Sequence, residues 1–225
     1  MKLVVLAAGY GTRLLAETGG RPKALVEVGG ASLLDRLVDL AERTGLEPVV
    51  VARSEHASDF RACGVDVLVV DPSPHMILTL THASRQLRGP LCWVGADLLF
   101  TDPEPLRDLV SRHLASDSFL SFLYCRSDRF KVKLEFKPSP GGTPEPAVAV
   151  TREGVFPFSV PNFLVQAPRV VDHLPGDLED PRASFLQKAI ERGERVLFRE
   201  YHAPVFEIDT PAHLAEARRH FARCA

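Results

Sequence analysis

Apolar residues in the first third of the chain come in short unbroken runs, and between the runs they fall at helical spacing. Leu3 to Leu6 is one such run. It is too short for a helix and has no polar alternation, so it predicts a strand buried on both faces. Leu33, Leu34, Leu37, Val38, Leu40 and Ala41 follow at three-and-four spacing, ending near Gly45, and predict an amphipathic helix. Pro48 to Ala52 then reads as a second buried strand, His56 to Cys63 as another helix and Val65 to Val70 as a third strand. Strand and helix in alternation predict a parallel sheet. Right-handed crossovers of this length put helices on both faces and align the strand C-terminal ends along one rim.

The second half has a different texture. Leu91 to Phe100 is an apolar strand interrupted by Gly95-Ala96-Asp97, and a helix is expected around Pro103 to Leu114. Ser118 to Tyr124 and Phe130 to Lys137 read as strands, the latter alternating and so wet on one face. Pro138 to Pro146 is a loop, and Val155 to Gln166 is extended, aromatic and broken by prolines. A helix near Ala183 to Arg192, a strand from Arg195 to Glu200 and a helix start at Asp209-Thr210-Pro211 close the chain. Thr210 is the expected N-cap there, with Pro211 in the first helical position. The fold class expected is α/β: a Rossmann-like three-layer α/β/α arrangement around a mostly parallel sheet, with a β-rich insertion in the second half.

Composition narrows the partners. The 225 residues are 45% hydrophobic and 25% charged, enough for one sizeable core, so a single domain over 1–225 is expected. A net charge of −2 supplies no basic field for nucleic acid or an anionic membrane, which leaves small molecules. Met1 to Ala8 is too short an apolar run for a secretory leader and ends without a cleavage site. No run approaches the roughly 18 apolar residues of a membrane helix, and a cytoplasmic location is expected. Cys63, Cys92, Cys125 and Cys224 form no C-x-x-C pair and are expected to be reduced and mainly buried.

Candidate chemistry starts where the first strand stops, at Ala7-Ala8-Gly9-Tyr10-Gly11-Thr12-Arg13. Side chains this small let successive backbone N–H groups turn inward as a nest for phosphate oxygens. Arg13 and Lys23 bracket the glycines with positive charge, and Pro22 stiffens the approach of Lys23. A plain strand-to-loop turn is the competing reading. Neither a dinucleotide fingerprint nor a Walker loop is present, because Leu14 stands where a third glycine belongs and no G-x-x-x-x-G-K-[ST] occurs.

LAAGYGTRL followed by RPKALVEVGG resembles the signature of the nucleotidyltransferases that activate sugar 1-phosphates and related phosphomonoesters with a nucleoside triphosphate. The resemblance extends from Leu3 to about Leu214 and includes Gly95-Ala96-Asp97 and Glu207-Ile208-Asp209-Thr210, but no hexapeptide repeats. It implies a nucleotide-binding half at about 1–117, an acceptor-binding half at about 118–200 that holds the insertion, and a return at 201–225. It also implies Mg²⁺ on Asp97 and Asp209, and nucleotide contacts from Leu6, Ala7, Ala8, Gly9, Gly11, Thr12, Arg13, Lys23, Ser73 and Thr79. By the same resemblance Arg13 and Lys23 are expected to carry the catalytic charge. Asn162, Lys131 and Lys133 are the polar candidates for the acceptor, although lysines on an alternating strand also serve solubility.

The region after the third strand departs from the family by lacking the glycine of a G-T-x-x-A-like stretch near Thr79, and Ser73 is as well explained as the N-cap of the next helix. By resemblance the expected partners are CTP or UTP and a small phosphorylated acceptor. A catalytically silent regulatory nucleotide-binding domain and a guanylyltransferase of the molybdenum cofactor type stand as alternatives.

Overall fold

The computed structural model describes residues 1–71, 76–127, 129–130, 132–137, 145–151, 158–161, 163–173 and 187–224. Its centre is a seven-stranded sheet. In spatial order the strands are β13 (Val196–Glu200), β8 (Leu120–Tyr124), β12 (Phe163–Gln166), β6 (Leu91–Gly95), β1 (Lys2–Leu6), β4 (Glu47–Ala52) and β5 (Asp66–Val69). β1 pairs in parallel with both β4 and β6, and β12 runs antiparallel between β6 and β8. The predicted mostly parallel α/β/α sheet is therefore present, and the C-terminal ends of β1, β6, β8 and β13 share one rim.

Alternate residues of each strand feed opposite faces, as the pleat requires. Leu3, Val5, Val50 and Val94 pack against α2 (Leu33–Thr44), α3 (Ala57–Ala62) and α5 (Glu104–Leu114). Val4, Val51 and Trp93 pack with Leu80 and Ala83 of α4 (Met76–Leu87) on the other face. α2 starts on a capping box in which Ser32 Oγ accepts from Asp35 N–H and Asp35 accepts from Ser32 N–H, and it ends on Gly45 at φ 71°. Cys92 and Cys125 are buried and Cys63 is exposed.

The second half divides more finely than its sequence pattern indicates. β8, β12 and β13 rejoin the central sheet, while β9 (Val132–Lys137), β10 (Glu145–Thr151) and β11 (Phe158–Val160) form a separate three-stranded sheet. The physical reason is burial: β8 and β12 are enclosed from both sides and need neighbours on both edges.

A third cluster holds the site together. Leu14, Val26, Val28, Leu33, Leu99, Phe206, Ile208, Leu214 and Ala217 join the glycine loop, the short β2–β3 hairpin (Glu27–Val28, Ala31–Ser32), β7 (Leu98–Phe100), β14 (Val205–Glu207) and the closing helix Pro211–Cys224. No described helix is long and apolar enough to cross a membrane.

Candidate active site

The chain leaves β1 through hydrogen bonds from Ala7 N–H to Val51 O and from Ala96 N–H to Leu6 O, which fasten the start of the glycine loop to the rims of β4 and β6. Gly11 then takes φ 60°, ψ 21°, a left-handed conformation that an L side chain adopts only at a cost, and a 3₁₀ turn, Thr12–Leu14, begins. A Cβ on Gly11 would come within 3.4 Å of Lys23 Cβ, so the loop and the lysine are packed as one unit. Pro22 at φ −52° sets the short 3₁₀ turn Lys23–Leu25 that aims the lysine inward, and buried Ala24 anchors the turn.

Strand pairing brings the two carboxylates together. Asp97 lies in the tight turn between β6 and β7, and Asp209 follows β14, which pairs antiparallel with β7 so that Glu207 faces Leu98. Ile208 N–H donates to Asp97 O at 2.8 Å, which extends the register to the next pair. Thr210 caps the closing helix by accepting from His213 N–H, leaving Asp209 just outside a helix start, as its sequence predicts.

Lys23 stands between them. Its Nζ donates to Asp97 Oδ2 at 2.7 Å and to Asp209 Oδ1 at 3.1 Å, while an Arg13 nitrogen lies 2.9 Å from Asp209 Oδ2. Asp209 is 7% exposed and Lys23 19%, whereas Arg13 at 59% reaches into solvent. Burial disfavours the Lys23 ammonium, but Asp97 and then Asp209 outweigh that penalty and hold its pKa above the ordinary lysine value. Asp97 Oδ1 is buried without a hydrogen-bond partner, an acceptor still to be satisfied.

Lys23 and Asp97 border a 310 Å³ cleft whose wall also includes Ala7, Gly9, Gly11 and Thr79, while Thr12, Arg13 and Asp209 stand outside that wall. Leu6 and Ala8 line it too, and buried Thr79 enters from the first turn of α4. Of the expected nucleotide contacts, Ser73 lies outside the described residues, as do the acceptor candidates Asn162 and Lys131. Lys133 is on β9, paired through its backbone with Ser159 and Thr151, and its side chain lies outside the description.

Two contributors escaped the sequence reading. Arg53, buried at the end of β4, lays its guanidinium 4.2 Å from the centroid of the Tyr10 ring and bonds Glu55 at 2.6 Å, so it supports the loop from behind. The signal was available: a buried strand ending in arginine puts that residue on the ligand rim. Met76 also lines the cleft, and in the apolar run Met76-Ile77-Leu78 at a helix start nothing distinguished it from a core residue.

Among the described residues, no three histidine, cysteine or acidic side chains form a metal cage. The donor set at Asp97 and Asp209 is two carboxylates, which fits a hard divalent cation that completes its shell with phosphate oxygens and water. The unsatisfied Asp97 Oδ1 agrees with that fit.

A small-residue loop that presents backbone and cations to phosphates, with carboxylates opposite and no covalent nucleophile required, is how the nucleotidyltransferase class is built. The chain belongs to the MobA-like NTP transferase domain family, whose model matches residues 3–207. It is 34% identical over 131 residues to the bifunctional protein GlmU of Caulobacter vibrioides, an alignment covering 53% of this chain and 28% of that protein. The chain spans 28% or less of the length of the curated relatives it matches. Two solved structures share the fold. UTP-bound UGPase from Acinetobacter baumannii superposes with a TM-score of 0.81 at 17% identity, covering 100% of this chain and 94% of that one. The inositol-1-phosphate CTP transferase from T. maritima gives 0.79 at 19% identity, covering 99% and 95%.

Proposed function

We propose that the protein condenses a pyrimidine nucleoside triphosphate, CTP or UTP, with a sugar 1-phosphate or similar phosphomonoester or phosphonate, releasing pyrophosphate. The observation that carries this reading is the Lys23 ammonium held between Asp97 and Asp209 at the mouth of the glycine-loop cleft. An acceptor phosphate attacking the α-phosphorus brings a second anion beside the triphosphate, and a buried ammonium with its charge enforced by two carboxylates is suited to that crowding. The loop N–H groups and Arg13 hold the departing β- and γ-phosphates. Asp97 and Asp209 are the residues that would hold Mg²⁺, which when bound supplies charge neutralisation at the phosphates. The pyrimidine preference rests on the matched fold of an inositol-1-phosphate CTP transferase and a UTP-bound UGPase.

The test is a pyrophosphate-release screen under Mg²⁺, pairing each of the four nucleoside triphosphates with a panel of phosphomonoesters and phosphonates. Release with CTP or UTP and one acceptor is the expected result. Release with GTP alone transfers the site to guanylyl chemistry, and no release with any pair favours a silent nucleotide-binding domain.

A further inference from the structure

A second and larger cavity, 660 Å³, opens at the far end of the same rim, where the segments after β8 and β13 meet β14 and the closing helix. Neither the glycine loop nor Lys23, Asp97 or Asp209 lines it. Its charge runs against that of the chain. Arg126, Arg129, Arg219 and Arg223 face Glu200 and Glu216, an excess of two positive charges in a protein whose net charge is −2.

The glutamates are already taken. Arg126 is paired with Glu200, and Arg129 lies 2.8 Å from Glu216. Arg219 and Arg223 have no ion-pair partner among the described residues. They sit one turn apart on the closing helix and both face the cavity, so two unpaired guanidinium forks project from one wall. Like charges at this spacing repel, and an anion placed between them removes the repulsion. Aromatic surface lines the same cavity: Phe206 packs 5.1 Å from the His220 ring, with Arg129 5.6 Å from the centroid of the Phe206 ring.

We propose that this cavity is a second anion site that takes a phosphate-bearing small molecule. The planar guanidinium grips phosphate through paired N–H donors, and two forks a helical turn apart suit one phosphate with a substituent or two linked phosphates. The cavity is concave and of small-ligand size, and an extended basic stripe of the kind that tracks a polynucleotide is lacking among its described residues. The aromatic wall takes the uncharged part of such a ligand. This site does not depend on the transferase reading, since it uses none of that reading's residues.

Calorimetric titration with inorganic pyrophosphate tests it. In an Arg13→Ala/Lys23→Met protein, whose catalytic cleft has lost both cations, a single saturable site is expected. Adding Arg219→Ser and Arg223→Ser, both exposed positions, weakens that binding by about tenfold or more, and lysine at the same two positions restores part of it. In the otherwise wild-type chain the same two serines remove one of two binding events while thermal unfolding stays cooperative, a control independent of the cleft variants. Glucose 1-phosphate in parallel separates a phosphate ester, if it binds more tightly than pyrophosphate, from a free phosphoanion, if it binds less tightly. Unchanged affinity in the Arg219→Ser/Arg223→Ser protein, or no binding of either probe at millimolar concentration, overturns the proposal.

Discussion

The Lys23 ammonium lies 2.7 Å from Asp97 Oδ2, an ion pair between residues 74 positions apart in the chain. With Asp209 it forms a partly buried triad, and Arg13 adds a second, more exposed cation on Asp209. Removing Lys23 leaves Asp97 without its cation and Asp209 with Arg13 alone, so Lys23→Met is expected to lower stability by about 3 kcal/mol at pH 8. The pH dependence has a defined sign. The Lys23 pKa is raised in the folded state, so its contribution is complete below the ordinary lysine value of 10.5 and fades as pH rises through the folded value. Urea unfolding from pH 8 to pH 11 should therefore show an alkaline loss in the wild type that Lys23→Met lacks. Equal stability of the two proteins at pH 8 contradicts the triad.

The same ammonium competes for the carboxylates proposed to hold Mg²⁺. Once it is gone, Mg²⁺ is expected to raise the melting temperature of Lys23→Met by more than that of the wild type, in the absence of nucleotide, by several degrees for about 1–2 kcal/mol of linkage. Replacing Asp97 or Asp209 by Asn should cut turnover about a hundredfold or more with the fold intact. Wild-type turnover in Asp209→Asn rules out the two-carboxylate site.

Lys23 and Arg13 are expected to fail differently. The half-buried lysine stands where the proposed reaction would crowd anions, so Lys23→Ala should depress kcat strongly and change nucleotide Kd modestly. Arg13, largely exposed, meets phosphates that are charged before reaction, so Arg13→Ala should mainly weaken nucleotide binding. Calorimetric Kd beside kcat for both variants separates these roles. A Lys23→Ala protein that loses affinity alone reassigns Lys23 to ground-state binding.

Gly11 joins loop geometry to lysine placement. Gly11→Ala puts a methyl group on a residue at φ 60° and within 3.4 Å of Lys23 Cβ. The expected cost is about 1 kcal/mol in chemical unfolding, together with a loss of roughly tenfold in nucleotide affinity as the nest opens. Gly9→Ala meets no protein atom within 4 Å and serves as the control for the stability loss.

His113 provides a test remote from the cleft. Burial, with a smaller contribution from Arg169, holds its pKa below the usual histidine value of 6.5, and its Nδ1 lies 2.8 Å from Ser121 Oγ. The unfolded chain thus binds the proton more readily, and stability is lost as pH falls below about 6.5. Thermal melts at pH 7 and pH 5 should differ less for His113→Gln than for the wild type.

The small-residue loop after β1, the places of Asp97 and Asp209 at a strand end and a helix start, and the helix cap at Thr210 were legible because each is a local statement. A strand ends, small residues follow, and a carboxylate stands at the next turn. The sheet's parallel core was legible for the same reason, since buried runs alternating with helical spacing leave few other solutions. Asn162, Lys131 and Ser73 lie outside the described residues, so their expected contacts stand as sequence readings.

The sequence by itself determined where the first strand breaks into a small-residue loop bracketed by Arg13 and Lys23, and which strands had to be buried. Only the tertiary structure decided that β12 enters antiparallel between β6 and β8, because a strand buried on both faces has no period from which direction can be read. Tertiary structure also decided that Lys23, Asp97 and Asp209 meet at one point and that Arg53 backs Tyr10. Those contacts depend on the β7–β14 register and on packing between distant segments, and spacing along a chain carries no record of either.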